Sequence, residues 1–87
     1  MKVVAKPIEM VAWFEKCGKV NPIKFRIEED SEVFIIVKIE KVVKRENERL
    51  AGNPMHIFTC TGIINGVEKI FQLKYEINTC KWLLFKI

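Results

Sequence analysis

A chain of 87 residues that is 49% hydrophobic and 30% charged has room for one domain with a small core, and it is too apolar for a disordered tail. Twelve lysines and three arginines against eleven acids leave a net charge of +4, a bias toward anionic partners that falls short of identifying nucleic acid. No apolar run is longer than Val33–Val37, which excludes a membrane-spanning helix, and three cysteines without a leader-like segment fit a reducing, cytoplasmic setting.

In chain order, residues 7–17 carry two sets of signals. Pro7 at a first helical position, Glu9 early, Lys16 late and Gly18 as a left-handed stop describe a helix. Ile8, Met10, Ala12 and Phe14, alternating with Glu9, Val11, Trp13 and Glu15, describe a strand covered on most of both faces. The strand is the better match, because the apolar residues form a block rather than a 3.6-residue stripe. Pro22–Ile27 then alternates strictly, with Ile23, Phe25 and Ile27 toward a core and Lys24 and Arg26 toward water. Pro22 sits at the start, where its missing N–H is tolerated.

The acidic loop Glu28–Glu32 leads into a strand from Val33 to about Arg45. Its inward set is Ile35, Val37, Ile39 and Val43. The outward set, Phe34, Ile36, Lys38, Glu40, Val42 and Lys44, is too apolar for open water and predicts a cover. Residues 45–54 read as a polar connection closing on Gly52-Asn53-Pro54, with space for one helical turn over Glu46–Ala51.

The most determinate stretch is Met55–Ile77. Asn65-Gly66 between two apolar runs is the pair best suited to the two positive-φ positions of a type I′ turn. A two-residue loop there opposes Ile64 to Val67, Gly62 to Lys69, Cys60 to Phe71, Phe58 to Leu73 and His56 to Tyr75 on the core face. Ile63/Glu68, Thr61/Ile70, Thr59/Gln72 and Ile57/Lys74 then lie outside, and a slip of one residue would exchange the faces. A second two-residue turn, Asn78-Thr79, adds a third strand. It places Ile77/Cys80, Tyr75/Trp82, Leu73/Leu84 and Phe71/Lys86 on the same core face and opposes Glu76 to Lys81 outside. Gly62, inside a strand, marks a bulge or a close backbone approach.

No constellation for catalysis or metal binding emerges. His56 and Cys60 lie four residues apart on one strand, about 13 Å at ~3.3 Å per residue, too far to share an ion or a proton. There is no Cys-x-x-Cys spacing, and two of the cysteines read as small buried thiols. Ser31 and Asp30 are neighbours in the acidic loop with the only histidine two elements away, and the glycines stand singly rather than in a phosphate loop. The expectation is a non-enzyme with no metal or cofactor.

Three groups stand out as candidate sites. His56, Tyr75 and Trp82 would form a small aromatic and polar pocket at one end of the core. Lys24, Arg26, Lys38, Lys41 and Lys44 would form a basic surface for nucleic acid, with Phe34 beside them and Arg45 and Arg49 extending the charge. Ile57, Ile70, Leu83, Phe85 and Ile87 would form a semi-apolar face for a protein partner or a second copy.

Pro22-Ile23-Lys24-Phe25-Arg26, the apolar strand ending near Ile39, Phe58, and Phe71-x-Leu73-x-Tyr75 leading to Trp82-x-Leu84 together resemble small bacterial β-domains, some encoded beside Y-family translesion DNA polymerases. The similarity spans about residues 8–87 and consists of strand pattern plus one tryptophan. Those domains often carry more aromatic residues in the first hairpin, where this chain has Glu28-Glu29-Asp30-Ser31, and they offer no catalytic residues to carry over. The resemblance implies a role near DNA repair or replication.

The sequence therefore predicts one domain over residues 1–87, all-β or β-dominated. About six antiparallel strands would form a twisted sheet closing toward a small barrel and ending in a three-stranded meander. The leading function is a binding module that contacts DNA or a DNA-bound protein. The alternative is a protein adaptor or a homodimeric structural protein.

Overall fold

Period-two alternation dominates the apolar segments, and the computed structural model, which describes residues 1–87, has strands and no helix. The strands are β1 (Val3–Phe14), β2 (Val20–Asp30), β3 (Val33–Leu50), β4 (Asn53–Ile64), β5 (Val67–Glu76) and β6 (Lys81–Lys86). Each pairs antiparallel with its sequence neighbour, and β1 pairs with β6, so the sheet closes as an up-and-down barrel. Residues 7–14 are strand, as the alternation favoured, and the helix signals at 16–18 belong to the turn that follows.

The core is built from inward side chains of all six strands. Phe25, Val37, Cys60, Phe71 and Leu73 are fully buried, and Phe58, Tyr75, Trp82 and Leu84 extend the packing. Phe25 meets Phe71 edge-on with ring centres 5.6 Å apart. Ile8, Met10 and Ala12 of β1 pack against this cluster.

The β4–β5 hairpin has the expected register at every pair from Ile64/Val67 to His56/Tyr75. Asn65 and Gly66 have φ of 51° and 76°, the type I′ signature. The rows His56/Tyr75/Trp82 and Phe58/Leu73/Leu84 cross the three strands, and Ile57/Lys74/Leu83 lies outside. Two details of the second turn differ. Residues 77–80 form a four-residue turn, closed by Cys80 N–H donating to the Glu76 carbonyl at 2.9 Å, so Ile77 and Cys80 are exposed rather than paired in the core. Lys86 pairs with Gln72 instead of Phe71, because an irregularity beside Leu73 shifts the register.

Residues 45–54 are not a polar connection. They continue β3 to Leu50, turn at Ala51-Gly52 (φ of 50° and 78°) and begin β4, so a second type I′-like hairpin projects from the barrel. Arg45 opposes Phe58 and Asn47 opposes His56. Pairing with an apolar strand outweighs the weak strand preference of these polar residues.

Bulges account for the misplaced side chains. An inserted residue reverses the in–out alternation beyond it. The register of β3 on β4 shifts between Ile39 and Lys41 and again between Val42 and Lys44, which turns Val42 inward and leaves Val43 exposed, opposite to the strict alternation. The second shift restores Lys44 to the outside and sets Arg45 in register with inward-facing Phe58. A shift between Val11 and Ala12 passes over Ile23, which is exposed, while Pro22 is buried in its stead. Of the cysteines only Cys60 is buried; Cys17 and Cys80 are exposed. Phe34 and Ile36 are exposed, and the expected cover is reduced to the Arg26 guanidinium over the Phe34 ring.

The barrel parts at both ends: toward Asn65-Gly66, β1 and β2 separate beyond Glu9/Arg26 and β3 and β4 beyond Ile39/Gly62, and two further splits lie at the opposite end. There β2 and β3 last pair at Lys24/Lys38, and β1 and β6 last pair at Ile8/Trp82. Arg45 bridges the first split, donating from Nη1 to the Val20 carbonyl at 2.7 Å and from Nη2 to Asn21 Oδ1 at 2.8 Å. Phe14 bridges the second, its ring edge-on to Tyr75 at 5.9 Å. Toward Asn65-Gly66 the β1–β6 seam stays closed, and Lys2 and Ile87 exchange two backbone hydrogen bonds, 2.7 and 2.9 Å long.

Candidate nucleic-acid interface

On the outer face of β1–β3 the register builds two rows, Val11–Lys24–Lys38 and Glu9–Arg26–Ile36. Trp13 lies two residues beyond Val11 on β1, and Phe34 two residues before Ile36 on β3. Lys24 and Lys38 are thus directly opposed like charges, and neither has a carboxylate within 4 Å. Lys41, paired with Thr61, continues the same face and is also without an ion pair.

The other two expected cations are engaged. Arg26 Nε donates to Glu9 Oε1 at 2.6 Å, a bond that holds the Glu9 carboxyl below its ordinary range and raises Arg26 further. The Arg26 guanidinium also lies 4.5 Å over the Phe34 ring. Lys44 Nζ stands 3.7 Å from Glu46. Between the cations are apolar groups that the sequence reading covered: Trp13 is 67% exposed, and Val11 and Ile36 are open as well. The signal for this was present, since Glu9 and Glu15 flank Val11 and Trp13 in the same alternating set and mark it as the solvent face.

The row His56/Tyr75/Trp82 lies at the end away from Asn65-Gly66. Tyr75 and Trp82 have ring centres 4.7 Å apart, and the His56 ring lies parallel to Tyr75 at 6.2 Å. His56 Nδ1 is 2.7 Å from Asn47 Oδ1, so its partner is a side chain of the extended β3. The row opens onto two hollows rather than one. His56 and Phe58 line a cavity of about 220 Å³ with Val20, Arg45 and Asn47. Tyr75 and Trp82 line a separate groove with Met10, Ala12 and Phe14, where β1 and β6 part. The neighbouring Cys80 thiol and burial raise the Tyr75 hydroxyl above its ordinary value.

The third set mixes apolar side chains with an ion pair. Ile57 is buried beside Lys74, whose ammonium is 3.2 Å from Glu48 Oε1 and 3.8 Å above the Phe85 ring. That ion pair reaches from β5 over β4 to β3. Leu83 and Phe85 are half-buried and Ile70 is exposed, but Ile87 packs against the core.

Comparison of the chain with protein-family models, with curated proteins and with solved structures finds no match.

Proposed function

We propose that this chain is a non-enzymatic binding module that contacts nucleic acid through the outer face of β1–β3. The carrying observation is the opposition of Lys24 and Lys38 without an intervening acid. Like charges directly opposed across a strand pair destabilise a sheet, and an external anion relieves them. Lys41 adds a third uncompensated cation, so a ligand with repeated negative charge fits better than a single ion. Arg26 and Lys44 contribute less, because Glu9 and Glu46 already hold them. The resemblance to domains encoded beside translesion polymerases supports a setting in DNA repair or replication, where the ligand would be DNA or a DNA-bound protein.

Fluorescence anisotropy with labelled DNA across a salt series tests this. Affinity falls steeply as salt rises, and Lys38→Glu weakens binding at every salt concentration. No binding at about 50 mM salt would sink the proposal.

The alternative, an adaptor or homodimer using Ile70, Leu83 and Phe85, has less to stand on, because the Lys74–Glu48 pair already lies beside Ile57. Light scattering after size exclusion tests it, and a strict monomer at high concentration counts against it.

A further inference from the structure

We infer that the nucleic acid taken by this face is single-stranded, with bases stacked on Trp13 and Phe34 and phosphates on Lys24 and Lys38 between them; this rests on the nucleic-acid reading above. Trp13 opposes Asn21 and Phe34 opposes Glu28, so the two rings sit at opposite ends of the β2 segment that carries Lys24. Seven positions separate Asn21 from Glu28, one of them taken up by the irregularity at Ile23, which leaves about 20 Å at ~3.3 Å per residue. That span suits roughly four nucleotides, the low end of the site sizes of single-strand-binding barrels.

Three features separate a single strand from a duplex. Trp13 is 67% exposed, and Phe34, 44% exposed with Arg26 over one side of its ring, has only its other face to offer; a ring face binds the face of a base, which a duplex keeps inside its stack. Val11 and Ile36, apolar and exposed, flank Lys24 and Arg26 and match unstacked bases rather than a continuous phosphate wall. Three uncompensated ammonium groups are few for a duplex footprint, so stacking has to supply part of the affinity.

The same face carries no free amide to read base edges. Asn21, its one amide side chain, donates to Glu15 Oε2 at 2.9 Å and accepts from Arg45 at 2.8 Å. Binding is therefore sequence-tolerant, set by stacking and charge.

The experiment uses the intact chain with a labelled thymidine oligonucleotide and a duplex of equal length, followed by anisotropy and by intrinsic tryptophan emission. Trp82 is 7% exposed, so quenching on binding reports Trp13. The single strand should bind roughly tenfold or more tighter than the duplex and quench the emission. Trp13→Ala should lose roughly that factor for the single strand and leave weak duplex binding unchanged, while Lys38→Glu weakens both. With Lys41 as a third contact beside Lys24 and Lys38, the salt dependence for the single strand should have a log–log slope of about −2, at ~0.7 per phosphate. Phe34→Ala is the second ring variant, and both positions are exposed enough that the fold survives truncation. Equal or tighter duplex binding, or single-strand binding indifferent to both ring variants, overturns this inference and leaves the nucleic-acid reading intact. Absence of binding to either oligonucleotide at low salt overturns that reading itself.

Discussion

Arg45 donates from Nη1 to the Val20 carbonyl at 2.7 Å, across the gap where β2 and β3 have stopped pairing. A side chain there does what a ladder hydrogen bond does elsewhere. Arg45→Ala strands a backbone acceptor and also removes the cation 5.4 Å over the Phe58 ring. The expected loss is about 1–3 kcal/mol in urea unfolding. Arg45→Lys should recover only part of it, since an ammonium cannot reach Val20 and Asn21 with one fork.

Gly62 is fixed by its neighbour rather than by its turn propensity. A Cβ there would stand 2.7 Å from the Lys38 carbonyl oxygen and 3.2 Å from the Phe71 ring, so β3 or the core must move to admit it. Gly62→Ala should cost about 1–3 kcal/mol, typical of overpacking, and a variant as stable as the parent would mean that the two strands approach less closely.

Ala51 occupies a left-handed position, φ 50°, in a turn otherwise like Asn65-Gly66. A residue with a plain Cβ pays roughly 1–2 kcal/mol there, and asparagine pays less. Ala51→Asn should raise stability by about 1 kcal/mol, read as a higher urea midpoint at unchanged slope.

Two carboxylates make stability fall in acid. Hydrogen bonds from Thr79 and Asn53 hold Glu76 below the ordinary 4.5, and the Arg26 hydrogen bond does the same for Glu9. A folded pKa below the unfolded one gives stability that is complete above the unfolded value and is lost as pH falls through the folded value. Melting temperature should therefore hold from neutrality to about pH 5 and decline below the ordinary 4.5. Glu76→Gln should melt lower near neutrality and show a shallower decline.

The legible parts of the fold were those with local causes. Asn65-Gly66 and the alternation around it fix ten pairs of β4 and β5, because turn geometry and face polarity agree. The bulges had no such cause. Val42 and Val43 are both valine, and only the coiling of β3 around a closed barrel decides which one turns inward. Arg45–Leu50 looked like a loop because its charges favour water, and its strand character comes from β4, not from itself. For the interface, alternation put Lys24 and Lys38 outside, whereas their direct opposition and the capture of Arg26 by Glu9 depend on two registers that no single strand contains. Trp13 was hidden by its own hydrophobicity, which suggests burial wherever it occurs.

The seam between β1 and β6 joins the two stretches farthest apart along the chain, with only four pairs, one of them at Pro7, which has no N–H to give. The other seams close between strands adjacent in sequence. Opening of the barrel therefore starts as an unzipping from this seam, from the Trp82 side where Phe14 and Tyr75 alone continue it. Amide hydrogens of β6 that bond to β1 should exchange with solvent well ahead of those shared by β4 and β5, so the molecule breathes as a curl of sheet that reopens at one fixed line.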